Sequence, residues 1–597
     1  MKKIIFTIML CISFFGFLSM HVSADSDTVT VSNKAELKKA LSNNTLNIQL
    51  SNDIHYGDSD SFYIQSNVNI FGNGHSMLDD GSSQTNFAAG FYLQKANLKV
   101  SYNDLVFGDS THIQTWGGIL QNALQVDLTI NNVNYVGSSA AQPFYLSNNS
   151  TVTFIGKNYF SSSIGSGSGQ EFMEGGQMIF AENSVTQIDH YTSTSTLSFY
   201  WPKKTGSLDI RKNAQVKINT NKKYLVYGSN LNINLDEGAS LLLNNSSYGM
   251  TMTNGYKTSI SLLDRSYFQA VGNGSFGNQY RNVVNFTTNN PAGIVFKNTQ
   301  KTGVFYNNVT LNSSGTYPYS FKYDNNGVPK IMAAPFKTWT LNNGLFGSNG
   351  SEVNYRPDVT FLGNVNSNVQ NNPIVSEINF SDLGITGPFT YKGTDYKIYN
   401  QSLVSDVDSE KSQSTISNDK TSVYNGYVTN GSATINEVPA GDYVIYLRSS
   451  GETSSGIVYS NWVEKKVTVK KTLLSITVPI ETAFAISDNS PFVSNDQYQI
   501  VNNSNFPTSY HIGSVRNQES SISLVERISS NTPNNSLYLA IKDTLNNILN
   551  FVTIVGGQIS VSAFGGKSIF NIVGQYKGPI SYSHVDSFGY IMNLVFQ

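Results

Sequence analysis

One phrase recurs seven times between Phe62 and Leu263: a short aromatic or aliphatic run, a turn holding Asn, then a second run of alternating polarity. The first runs are Phe62-Tyr63-Ile64, Phe91-Tyr92-Leu93, Gly118-Ile119-Leu120, Phe144-Tyr145-Leu146, Met178-Ile179-Phe180, Tyr224-Leu225-Val226 and Met250-Thr251-Met252. The turns carry Asn67, Asn97, Asn122, Asn149, Asn183, Asn230 and Asn254. Most units return after roughly 25–30 residues, a period that signals a solenoid. A strand–turn–strand unit of this length cannot bury its own apolar face, whereas a stack of such units can. The expected fold is therefore all-β, opening on a right-handed parallel β-helix. Asn tolerates left-handed backbone angles, and stacked amides can bond along an axis, so these asparagines are predicted to superpose at the corners.

The flanking sequence extends this reading. Asn33 and Glu36 form a capping box ahead of a short helix with Leu37, Ala40 and Leu41 on one stripe. A helix there would shield the open end of the stack, whose backbone would otherwise invite other chains. Alternating strands run from about 46 to 370, enough for roughly 12 or 13 rungs and a rod of some 60 Å. Lys337 to Gly350 reads as the closing end, and Gln370-Asn371-Asn372-Pro373 as a linker. Beyond it, turn signals every 8–12 residues predict two β-sandwiches. In the first, a Pro439-Ala440-Gly441-Asp442 turn feeds a strand with Tyr443, Ile445 and Leu447 on one face, and Ser402 to Thr421 reads as an exposed loop. In the second, Leu537 to Phe551 fits a helix or a bent strand, with strand favoured. The expected division is a signal peptide at 1–24, a β-helix at 25–370, and sandwiches at 371–471 and 472–597.

Composition bounds the compartment and the chemistry. Met1-Lys2-Lys3, an apolar stretch from Ile4 to Met20 and Val22-Ser23-Ala24 make a secretory signal. Cys11, the one cysteine, falls inside it, so the exported chain is expected to lack disulfides and thiolate chemistry. Without Lys2 and Lys3 there remain 36 basic residues against 40 acidic ones, a formal charge of −4, with no basic block to suit nucleic acid. No later segment is long and apolar enough to span a membrane, and Phe596-Gln597 lacks a sortase-type tail.

The capped helix, Val68-Asn69-Ile70-Phe71-Gly72-Asn73-Gly74-His75 and the Phe-Tyr-Leu rungs resemble the pectate-lyase-like adhesive domain of Gram-positive surface proteins, over roughly Thr28 to Gly350. The central piece looks like an immunoglobulin-like surface repeat. From Leu473, a Thr-Val-Pro strand, the turn Asn502-Asn503-Ser504-Asn505-Phe506-Pro507 and a final Tyr590-led strand resemble the C-terminal domain of WxL-type proteins. That resemblance implies non-covalent retention on peptidoglycan. Where the Trp-x-Leu signature would stand, this chain has Met592-Asn593-Leu594.

A lyase on such a scaffold needs carboxylates to hold Ca²⁺ and an Arg base. Asp79-Asp80 and Asp236-Glu237 are acidic pairs, and Arg211, Arg265 and Arg281 are scattered bases, but no catalytic pattern joins them. Asp79 and Asp80 are expected to solvate a turn, and His75 to finish one. His55, His112, His190, His511 and His584 are isolated in sequence, so no metal or other cofactor is expected, and Ca²⁺ has no support beyond the fold. Exposed aromatic rings stack on sugars and anchor proteins. Trp116, Tyr102, Tyr135 and Tyr159, taken as loop residues, are the expected ligand contacts. The function expected is a secreted, cell-wall-associated adhesin binding an extracellular glycan or surface protein, not an enzyme. The alternatives are a polysaccharide lyase or glycoside hydrolase with a site assembled across rungs, and a structural spacer.

Overall fold

The period-two alternation of the sequence becomes inward and outward side chains. In the strand Val126–Asn131, Val126, Leu128 and Ile130 are buried while Asp127, Thr129 and Asn131 face out. The computed structural model describes residues 28–597 except 82–88, 116–117, 165–169, 192–196, 249–250, 254–256, 278–283, 301–303, 306–308, 326–327, 335–337, 342–351, 402–415, 418–420, 454–455, 488–489, 495, 519–520, 553–556 and 580–588. The expected signal segment, Trp116, Asn254, Arg281 and His584 thus lie outside the described residues, as does most of the expected loop from Ser402 to Thr421. The chain forms two compact units. One is built on residues up to Asp358, the other from Val359 onward; Gly387–Thr390 and Glu452–Ile457 belong with the first.

The first unit is a parallel β-solenoid. One sheet runs from Thr28–Val31 through Asn47–Leu50, Val68–Phe71 and Leu98–Asn103 to Val309–Ser313, each strand parallel to the last. A second holds ten parallel strands, from Ile54–Tyr56 to Gly293–Asn298. A third, narrower face begins with Ser61–Ile64 beside Gly90–Leu93. Aromatic rings fill the interior: Phe62 lies 5.0 Å from Phe91, and Phe154 stacks 4.9 Å from Phe180. Each such ring, fully buried, contributes roughly 1.5–3 kcal/mol.

The helix Lys34–Ser42 buries Leu37, Ala40 and Leu41 as expected. Asn33 Oδ1 accepts from the Ala35 and Glu36 N–H groups, but Glu36 returns its bond to the N–H of Ser32, not of Asn33. At the far end, Thr338–Leu341 lies antiparallel on Val309–Ser313 and Glu352–Pro357 antiparallel on Gly293–Asn298. These strands pair with the last parallel edge of each sheet. Parallel stacking therefore stops at Ser313, and among the described residues the second sheet holds ten parallel strands beside three antiparallel ones, against the 12 or 13 rungs expected.

The corners also differ from expectation. Strand register sets Asn97 beside Gln125 and Gln125 beside Asn149, while Asn67 is offset and lends its Oδ1 to the N–H of Lys99; Asn122 stands three residues ahead of Gln125. These four do not form one column. The superposed corner lies between the first and second sheets, where Asn73, Asp104, Asn132, Gly156, Asn183, Asn213, Gly238, Arg265 and Asn290 all hold positive φ, from 48° to 67°. Asn213 Nδ2 donates to Asn183 Oδ1 at 3.2 Å and Asn132 Nδ2 to Asp104 Oδ1 at 2.9 Å. The left-handed turn, not the Asn residue as such, is what repeats.

The second unit holds two antiparallel β-structures. In the first, the hairpin Phe361–Asn371 with Ile374–Ile385 faces a sheet that includes Tyr424–Val428, Gly441–Thr453 and Val463–Val469. The expected linker Gln370–Pro373 is the turn of this hairpin, with Asn371 paired to Ile374. Tyr443, Ile445 and Leu447 share one core as expected, and Val444 and Tyr446 fill another with Trp462. In the last part, Ser536–Asp543 and Ile548–Asn550 are antiparallel strands over the ambiguous stretch. The Asn-Ser-Asn turn is buried: Asn505 accepts from the Thr472 N–H at 2.9 Å and donates to Ser376 Oγ at 2.9 Å and Lys470 O at 2.8 Å.

Candidate functional site

The narrow third face of the solenoid carries an outward column that no single motif announces. In Phe62-Tyr63-Ile64, Phe91-Tyr92-Leu93 and Phe144-Tyr145-Leu146 the first and third side chains are buried and the middle one lies on the outer side of the strand. Phe62 and Ile64 are buried, and Tyr63 between them is 51% exposed. Pairing carries the middle position from rung to rung: Tyr63 beside Tyr92, Tyr92 beside Gln121, Tyr145 beside Glu174, Glu174 beside Tyr200, and Tyr200 beside Tyr227. Leu120 pairs with Phe144, which brings Gln121 level with Tyr145. The Tyr63 and Tyr92 rings stand 6.2 Å apart, and those of Tyr200 and Tyr227 stand 5.4 Å apart.

One carboxylate, Glu174, interrupts the column, and Glu171 lies near it. Burial raises the pKa of Glu171; burial and then repulsion from Glu171 raise that of Glu174, against a hydrogen bond from Gln142. Gln142 Nε2 also reaches Glu171 Oε2 at 3.4 Å. Burial lifts the Tyr92 phenol to about 12, with the Tyr63 phenolate form adding to it. The face therefore presents phenols, amides and carboxyls along one line of rungs.

The expected contacts fare differently. Tyr102 and Tyr135 are corrections: both are fully buried. They belong to the strands Leu98–Asn103 and Asn134–Ser138, not to loops, and parity turns them inward. Tyr102 donates to Ile119 O at 2.7 Å, and the Tyr135 ring lies tilted between those of Phe107 and Phe160. Tyr159 is 40% exposed and lies on the second sheet beside Asn134 and Gln187, apart from the tyrosine column. Tyr63, Tyr92, Tyr145, Tyr200 and Tyr227 were missed, although three of them are the middle letters of the triplets that defined the repeat.

The acidic pairs also resolve. Asp79 is buried: its Oδ1 accepts from Gly81 N at 2.8 Å in the turn, and its Oδ2 accepts from Thr115 N at 3.0 Å and Thr115 Oγ1 at 2.8 Å. Asp80 beside it is exposed, and its Oδ1 lies 3.1 Å from His55 Nδ1 and 3.7 Å from His112 Nε2. Three residues separate in sequence thus meet across rungs. His112 Nδ1 lies 3.2 Å from Asp109 Oδ1. Hydrogen bonds from the His112 N–H and from Thr111 hold the Asp109 carboxyl well below the usual range. His75 finishes its turn and pairs with Asp53 at 3.8 Å. Asp236 and Glu237 are neutralised at the left-handed corner by Arg211 at 3.6 Å, Lys212 at 3.0 Å and Arg265.

A family model described as a pectate lyase-like adhesive domain matches residues 28–142. Comparison with curated proteins gives no match. Among solved structures, one titled "L. reuters 100-23 SRRP" is similar at 14% identity and a TM-score of 0.34, covering 44% of this chain and 86% of that one. Among the described residues no helix is long and apolar enough to cross a membrane.

Proposed function

We propose that this protein is a surface adhesin whose solenoid grips an extended extracellular glycan along the tyrosine column. The observation that carries the reading is the column itself: Tyr63, Tyr92, Tyr145, Tyr200 and Tyr227 on successive or alternate rungs of one face. Rungs repeat every 4.7–4.9 Å or so, close to the length of one pyranose unit, so a periodic polymer can meet a periodic surface. Phenol faces stack on sugar rings at little entropic cost. The match of residues 28–142 to an adhesive family supports the same reading. The central sandwich would space the binding rod, and the last would retain it at the cell wall after export.

A second reading rests on Glu171 and Glu174, two carboxyls with raised pKa values on the same face. A protonated acid beside a carboxylate is the machinery of glycoside hydrolysis. One experiment separates the two. The full chain is run on a glycan and matrix-protein array, with Tyr63→Ala/Tyr92→Ala and Tyr200→Ala/Tyr227→Ala alongside, and bound glycans are assayed for cleavage. An adhesin retains intact glycan, and each double variant binds about tenfold more weakly, or about 1.4 kcal/mol. Turnover abolished by Glu174→Gln would replace the adhesin with the enzyme.

A further inference from the structure

The geometry points to a zinc-type metal site formed by His55, Asp80 and His112 on the N-terminal rungs of the solenoid. One ligand atom from each of the three lies within 4.8 Å of the other two. In a tetrahedral zinc centre with bonds near 2.0–2.1 Å, neighbouring ligand atoms stand about 3.3 Å apart. The His55 Nδ1–Asp80 Oδ1 and His112 Nε2–Asp80 Oδ1 separations, 3.1 and 3.7 Å, bracket that distance. The His55 and His112 rings are 5.4 Å apart and nearly perpendicular, close to the roughly 5 Å that two imidazoles on one zinc adopt.

The surroundings supply what a metal site needs beyond its ligands. A ligating His commonly gives its other ring nitrogen to a carboxylate, which fixes the tautomer. His112 does this: Nε2 faces Asp80, and Nδ1 faces Asp109. The loop that carries His112 is held on both sides. Gly108 (φ 74°) turns so tightly that a Cβ there would meet His112 O and Val136 O, each at 2.7 Å. Buried Asp79 clamps Thr115, and Tyr56 donates to Gln114. His55 is preset by parity, since its neighbours Ile54 and Tyr56 point into the core.

The donor set selects the ion. Two imidazoles and one carboxylate suit Zn²⁺ and its later first-row neighbours, whereas Ca²⁺ and Mg²⁺ favour oxygen alone. Three protein ligands leave a fourth position facing solvent. The class of group it would accept is water or an anionic oxygen, such as a carboxylate on a bound partner. This site is independent of the tyrosine column, so either can stand without the other.

Titration of the full chain with Zn²⁺, Co²⁺ and Ca²⁺ tests it, by calorimetry and by the visible spectrum of the Co²⁺ form. Expected are one Zn²⁺ per chain, intense low-symmetry Co²⁺ bands and no competition from Ca²⁺. His55→Ala and His112→Gln should each weaken Zn²⁺ binding at least about a hundredfold, and Asp109→Asn about ten- to a hundredfold. His75→Ala should leave it unchanged. His55 is exposed, so His55→Ala should fold as wild type by circular dichroism. The site is refuted by Zn²⁺ binding that survives both histidine variants, by preference for Ca²⁺, or by no binding.

Discussion

His190 shows how one side chain's setting becomes a solution property. It is fully buried, donates from Nε2 to Gln170 O at 2.9 Å and lies 3.3 Å from Ser198 Oγ. Burial, and then the nearby Lys222 charge, lower its pKa to about 3, against the Gln170 bond. In the unfolded chain it titrates near 6.5 or so. A base held neutral by folding contributes stability that is present above the unfolded value and lost as pH falls from there towards 3. Glu171 and Glu174 act in the opposite sense. Their raised pKa values give a contribution that is complete below the unfolded carboxyl range and lost as pH rises through the folded values. The melting temperature of the wild type should therefore fall on acidification below about pH 6.5, and His190→Gln should flatten that slope. An unchanged slope in the variant would show that His190 already protonates in the fold. At this scale, sequence misled most over tyrosine: Tyr102 and Tyr135 share their residue type with Tyr63 and Tyr92, and only strand parity separates core from surface.

At the scale of the element, the left-handed corner is the device that repeats. Nine successive turns hold positive φ whether the residue is Asn, Asp, Gly or Arg. Asn213 combines φ 56° with a bond from its Nδ2 to Asn183 Oδ1. Asn213→Ala loses both the tolerance for that angle and the amide link, and should cost about 1–3 kcal/mol in chemical denaturation. Asn213→Gly, which keeps the angle, should cost less. A sequence reader sees Asn at two kinds of turn and cannot tell which kind superposes, because register is set by pairing between strands some 25 residues apart. The strands themselves were legible, since alternation needs no partner to be read. The Gln370–Pro373 turn was misread because Asn and Pro mark hairpins and linkers alike, and only the pairing of Asn371 with Ile374 decides between them.

Over the whole chain, two compact units divide near residue 358. Within the second, the buried Asn505 ties the last sandwich to the hairpin through Ser376 and to the connecting segment through Lys470 and Thr472. Asn505→Ala would strand these groups in a dry interior, at a cost on the order of 3 kcal/mol. Calorimetry should then show the unfolding of this unit broaden or split into two transitions; a single shifted peak would mean that other contacts couple the two sandwiches.

Read alone, the sequence determined the class of fold, the capping helix, the strands and the composition of the interior, because each follows from local propensity and period. The tertiary structure decided which residues meet: Tyr63 with Tyr92, Glu174 with Tyr200, and His55 with Asp80 and His112. In a solenoid, neighbours on a face are a full coil apart along the chain. The length of each coil varies with its loops, so the coincidence of side chains on successive coils is settled only when the strands pair.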